Sequence, residues 1–97
     1  MLLDTYSTWV GGIGDRLDFT GSLVKTYSRK TKYGYRHSLK FMSDEGNVYY
    51  WDTTVCPAIS MSDKLRIRGT ISELRTSKEG VKYTLLKYCK IDRIDEE

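Results

Sequence analysis

The chain has 97 residues, a formal net charge of +3, and 39% hydrophobic against 30% charged residues. That is room for one domain with a modest core, in the composition of a soluble globule rather than a disordered or fibrous chain. No apolar run approaches the ~18–20 residues that span a bilayer, and MLLDTYSTWVGG lacks the basic start and long apolar stretch of a secretory signal. A cytoplasmic protein without a membrane role is expected.

Aromatic and β-branched residues dominate, and alternation is the recurring period. In LDFTGSLV an apolar stripe runs through Leu17, Phe19, Gly21 and Leu23. TYSRKTKYGY reads as a loop, with Gly34 turning the chain into the second strand. In YRHSLKF the inward face is Tyr35, Leu39 and Phe41, and His37 shares its parity as a rim or core histidine. SDEGN (43–47) has turn chemistry, and NVYYWDTTV beyond it makes the third strand. On that strand Tyr49 and Trp51 oppose Val48 and Tyr50, which puts Trp51 toward the core and Tyr50 on the outer face.

Cys56-Pro57-Ala58 breaks the sheet, and Ile59 to Ser62 leaves space for one short turn of helix at most. KLRIRGTISEL alternates through Leu65, Ile67, Gly69 and Ile71, with Arg66 and Arg68 outward. TSKEG (76–80) is a turn and VKYTLLKYCKI the fifth strand. GDRLDFTGSLVK (14–25) echoes SDKLRIRGTISE (62–73) at a spacing of 48 residues. Glycine inside a strand marks a bend or a close backbone approach. Two bent strands, one opening each half, suit a closed Greek-key barrel of five strands. The expected fold is all-β with little or no helix. Its barrel covers about residues 14–91, between an N-terminal arm (1–13) and an acidic tail (92–97).

Charge is segregated along the chain. Residues 25–40 hold Lys25, Arg29, Lys30, Lys32, Arg36 and Lys40 without an acid, whereas 41–63 hold Asp44, Glu45, Asp52 and Asp63 without a base. Residues 64–90 are basic again, and Asp92, Asp95, Glu96 and Glu97 dominate the end. Two basic blocks around an acidic one can fold into one positive surface. Cys56 and Cys89 are far apart, without a C-x-x-C or a neighbouring histidine, which speaks against a disulfide framework or a zinc site. No P-loop, paired carboxylates or activated nucleophile is evident. Neither an enzyme nor a metal or other cofactor is expected.

These residues resemble an OB-fold nucleic-acid-binding domain. Gly21-Ser22-Leu23-Val24, a basic segment, Gly34, a strand ending at Phe41, and Asp44-x-Gly46-Asn47 resemble its first three strands; SDKLRIRGTI resembles the fourth. The match is closer to small phage-type OB-like proteins presumed to bind single-stranded DNA. It rests on Trp9 through Arg16, on Asp44-Glu45-Gly46-Asn47 with Trp51, and on Gly69-Thr70-Ile71 through Gly80-Val81-Lys82-x-Thr84-x-Leu86. It covers about residues 9–91. Leu74 stands where that family often has histidine, and the Asp44 turn is one residue shorter.

An OB barrel binds on the outer face of its second and third strands, framed by the first-to-second and fourth-to-fifth loops. The resemblance therefore implies single-stranded DNA, or RNA, held by cations and by stacking of bases on tyrosines. The candidate residues are Tyr27, Arg29, Lys30, Lys32, Tyr33, Tyr35, Arg36, Lys40, Tyr50, Arg75 and Lys78. Binding would show little sequence preference and serve replication or recombination in a bacterial or phage-infected cell. Tyr and Arg equally suit a protein interface. A protein-interaction module, such as a phage factor docking a host protein, is the alternative, and self-association stays open.

Overall fold

A computed structural model describes residues 7–55, 59–61 and 63–94. Its strands are β1 (Arg16–Thr31), β2 (Gly34–Ser43), β3 (Val48–Thr53), β4 (Leu65–Thr76) and β5 (Lys82–Arg93). They close in the order β1-β2-β3-β5-β4, with β4 returning to β1. Every pairing is antiparallel except β3 with β5. Among the described residues there is no helix. This all-β, closed five-stranded barrel is consistent with an OB-fold. The expected break at Cys56-Pro57-Ala58 lies outside the described residues, and β5 continues through Asp92 and Arg93.

The alternation read from the sequence is what fills the barrel. Leu23, Leu39, Phe41, Tyr49, Leu65, Ile67, Ile71 and Leu86 form the buried cluster, with Leu17, Phe19, Trp51 and Cys89 packed against it. Burying a side chain of this size contributes about 1.5–3 kcal/mol. Phe19 stacks on Tyr49 with ring centroids 4.1 Å apart, so one aromatic pair bridges the barrel between β1 and β3. Trp51 thus lies on the core side and Tyr50 on the outer face.

β1 is long because it serves two neighbours in succession. It pairs with β4 from Arg16 to Gly21, and with β2 from Gly21 to Thr31. At the changeover a Cβ on Gly21 would lie 2.2 Å from the Met42 carbonyl oxygen. No residue but glycine fits without moving backbone. A register shift between Leu23 and Lys25 adds further bend and twist just beyond.

The sequence echo is a local two-fold arrangement. Phe19 pairs with Ile67, its own counterpart in the other copy, while Leu17 faces Gly69 and Gly21 faces Leu65. The turns leading into the two copies also match. Asp15 Oδ2 accepts the Gly12 N–H at 2.8 Å, and the Asp15 N–H donates to the Gly12 carbonyl at 3.0 Å. Asp63 makes the same two bonds to Ser60, at 2.9 and 3.1 Å. The copies diverge at their glycines: a Cβ on Gly69 would meet the Cys89 sulfur at 2.8 Å rather than backbone.

The arm is tied down from Ser7 onward. Ser7 Oγ accepts the Val48 N–H at 2.8 Å and donates to the Lys82 carbonyl at 2.6 Å, joining the starts of β3 and β5. Trp9 Nε1–H donates to the Arg75 carbonyl at 3.0 Å.

The two glycines predict opposite genetics. Gly21→Ala should cost at or beyond the top of the ~1–3 kcal/mol range for overpacking, and no side-chain truncation should restore it. Gly69→Ala should cost about 1–3 kcal/mol alone but much less in a Cys89→Ala background. A double-mutant cycle by urea unfolding reads this directly, and strict additivity would show that the two sites are not in contact.

Burial also pushes the Cys89 thiol up to about 12. A thiol pKa raised by folding favours the native state fully below the unfolded value near ~8.5, and that contribution is lost as pH climbs toward the folded value. The stability difference between parent and Cys89→Ala should therefore be flat below about pH 8 and should shrink at higher pH. Thermal melts across pH 7–11 check the sign.

Candidate nucleic-acid interface

The basic segment after Gly21 is not a loop. β1 runs unbroken to Thr31 and pairs with β2 from Lys25↔Lys40 to Thr31↔Gly34, leaving Lys32-Tyr33 as a two-residue turn. Thr31 Oγ1 closes it, accepting the Tyr33 N–H at 3.2 Å and donating to the Gly34 carbonyl at 2.7 Å. Gly34 has a φ of 115°, which glycine alone adopts without strain. The β-formers Thr26, Tyr27, Thr31 and Tyr35 outweigh the loop-like lysines, serines and glycine. The result is a two-stranded ribbon.

Strand pairing sorts the candidate residues onto two faces, because directly opposed residues share a side. Lys25, Tyr27 and Arg29 lie with Lys40, Ser38 and Arg36 on one face; Thr26, Ser28 and Lys30 lie with Leu39, His37 and Tyr35 on the other. Lys32 and Tyr33 sit at the tip. Tyr33 is 89% exposed, and the Lys32 ammonium stands 5.4 Å from its ring centroid. His37 satisfies itself locally, with Nδ1 2.7 Å from Ser28 Oγ.

The Arg29/Arg36 face continues across the barrel. Register places Asp52 beside Ser38, Tyr50 beside Lys40, and Val48 beside Met42; Tyr83 and Leu85 of β5 follow beyond Val48 and Tyr50. All of these except Met42 floor a concavity of about 390 Å³, with Val48 buried beneath it, and Ser77, Glu79 and Val81 of the β4–β5 turn form its wall. Tyr50 meets Tyr83 edge-on, with centroids 5.1 Å apart. A smaller hollow of about 110 Å³ is lined by Tyr27, Arg29, Arg36 and His37, and shares Ser38 and Asp52 with the first. One groove therefore leads from the ribbon to the β4–β5 turn.

The eleven candidates are not all brought together. Tyr27, Arg29, Arg36, Lys40 and Tyr50 line the groove. Lys30 and Tyr35 face away from it, and Lys32 and Tyr33 extend beyond it. Arg75 is paired with Glu73, which holds its guanidinium further above its ordinary pKa. Lys78 is exposed in the β4–β5 turn, outside the groove lining. Tyr83 and Leu85 were missed, although their parity against buried Thr84 and Leu86 placed them outward. Asp52 and Glu79 put two acids in the groove.

Ion pairing divides the surface. Lys64 pairs with Asp44 at 2.6 Å, Arg66 with Asp18 at 2.6 Å, Arg68 with Asp92 at 2.9 Å, and Arg93 with Asp63 at 4.0 Å. The Arg66 guanidinium holds the Asp18 carboxyl below its usual range, and Lys64 does the same to Asp44. Among the described residues no carboxylate pairs with Lys25, Arg29, Lys30, Lys32 or Arg36. The same residues contain no cluster of three or more groups able to hold a metal. Compared with protein-family models, with curated proteins and with solved structures, the chain has no significant match.

Proposed function

We propose that this chain is a non-catalytic binder of single-stranded nucleic acid, DNA in preference to RNA, with little sequence specificity. One observation carries the reading: the barrel's arginines are largely matched to acids, whereas Lys25, Arg29, Lys30, Lys32 and Arg36 of the ribbon have no carboxylate partner among the described residues. Unmatched cations beside exposed tyrosines suit a strand with phosphates on one side and unstacked bases on the other. Phosphates would lie along Arg29, Arg36 and Lys40, and bases against Tyr27 and Tyr50. A groove this open reads few base edges, hence the low specificity. The resemblance to phage-type OB-like proteins adds a setting, replication or recombination in a bacterial cytoplasm.

A second reading, a protein-docking module, draws on a different hollow. It is wide, lined by Val10, Leu17, Phe19, Tyr49 and Ile94 and rimmed by Asp18, Glu45 and Arg66.

Fluorescence anisotropy with labelled oligo-dT at low salt distinguishes the two. Binding in the micromolar range, steeply weakened by salt and weaker for a matched duplex, is expected. Arg29→Glu with Arg36→Glu should flatten the log K against log salt slope by roughly 0.7 per lost contact. Lys30→Glu, on the far face, should change it less. Tyr50→Ala should cost about 1–3 kcal/mol at nearly constant slope, with its fold verified by circular dichroism. No binding at low salt, or a preference for duplex, rejects the proposal in favour of a protein partner.

A further inference from the structure

One residue outside the groove is held in a conformation its side chain disfavours. Tyr88 has a φ of 55°, the only positive value at a non-glycine position among the described residues. For a bulky aromatic this is an outlier, and such strain concentrates at functional positions. Its origin is a bulge. Arg68 pairs with Lys90 and Thr70 with Lys87, so Tyr88 and Cys89 together face the single residue Gly69. Cys89 turns in against the core over Gly69, and Tyr88 is thrown out, 75% exposed. Arg16 Nη1 clamps the bulge, donating to the Tyr88 carbonyl at 3.0 Å and to Thr70 Oγ1 at 3.1 Å.

The surroundings are cationic. The Lys87 ammonium stands 5.4 Å from the Tyr88 ring centroid, and Lys90 is the next outward residue of β5. Neither lysine, nor Arg16, has a carboxylate partner among the described residues. Tyr83 and Leu85 of the groove lie on the same outward row of β5 as Lys87. The step from Leu85 to Lys87 is about 7 Å at ordinary strand rise. Pairing of β3 with β5 stops at Trp51↔Leu86, so β3 no longer covers that edge of β5 where the bulge begins.

We propose that Lys87, Tyr88 and Lys90 form a second contact patch for single-stranded nucleic acid, reached by a strand that leaves the groove along β5. The inference rests on the reading of the groove given above. The strain at Tyr88 then has a use: it presents a ring outward, beside two cations, at a point where regular β5 geometry would turn the next side chain inward.

The test is a length series of oligo-dT against the parent and Tyr88→Gly. Glycine accepts this φ, so the variant should melt roughly 4–8 °C higher than the parent. It should nevertheless bind long oligomers about 5- to 150-fold more weakly, the loss of one stacked base. Oligomers just long enough to fill the groove should bind both proteins equally. Tyr88→Trp should keep the long-oligomer affinity, and Lys87→Glu with Lys90→Glu should flatten the salt slope for long oligomers only. Long-oligomer binding unchanged in Tyr88→Gly, or an equal loss at every length, overturns the patch. If the parent binds and the Arg29/Arg36 variant weakens it while the Tyr88 and lysine variants do not, the patch alone fails. If the parent binds no oligomer, the groove reading fails and the patch with it.

Discussion

The structure depends on a contact between two backbones. At Gly21 the chain comes so near the Met42 carbonyl that a methyl group would occupy the oxygen's place. That approach lets one strand leave β4 and take up β2 without a break, which closes the barrel. It also fixes the direction in which the rest of β1 departs, so the ribbon is a consequence of the bend. A basic segment that begins as the continuation of a core strand is anchored at its base by the pairings of that strand. Its faces are set by the same pleat that points Leu39 and Phe41 inward. Lys40 faces the groove because its neighbours Leu39 and Phe41 face the core, and Arg36 follows on the same side by alternation.

The second glycine of the echo shows how one local motif serves two ends. Gly21 and Gly69 occupy equivalent positions in strands related by a local two-fold about Phe19 and Ile67. The space that Gly69 leaves is filled by the Cys89 thiol, whose inward turn requires the extra residue that becomes the Tyr88 bulge. A small side chain on β4 thereby determines where an aromatic ring stands on β5. The half-buried thiol, raised to about 12, is packing material in this arrangement rather than a reactive group.

Strand number, inward parity and the echo were legible in the sequence because all three are properties of alternation. Trp51 and Tyr50 could be assigned to opposite sides on that basis alone. Closure was inferred from the glycines, and Gly21 bears the inference out in physical terms. The ribbon was not legible. Ser28, Arg29, Lys30 and Lys32 interrupt the β-formers, and a projecting ribbon has no buried face to impose an apolar stripe. That omission mattered for the site, since a loop offers every side chain to a ligand and a ribbon divides them between two faces. The division separates Lys30 and Tyr35 from Arg29 and Arg36. The bulge was also hidden, because it arises from register against β4 and leaves no mark in the local sequence of β5.

Electrostatics gives the two ends of the molecule different characters. Where strands are packed side by side, as β1, β4 and β5 are, unmatched like charges on neighbouring strands repel across about 5 Å, and alternating Asp18, Arg66, Arg68 and Asp92 relieve this. The ribbon carries no such relief at its outer part: Arg29 sits opposite Arg36. Like charges directly opposed destabilise a two-stranded sheet, so this pair weakens the element that carries it. A polyanion laid along that face would remove the repulsion as well as supply the attraction. Asp52 and Glu79 limit how far the positive face reaches. Over the barrel the groove offers Tyr50, Tyr83 and Leu85 beside Lys40. Rings and cations thus alternate along the whole groove, Tyr27 with Arg29 and Arg36 at the ribbon and Tyr50 with Lys40 over the barrel.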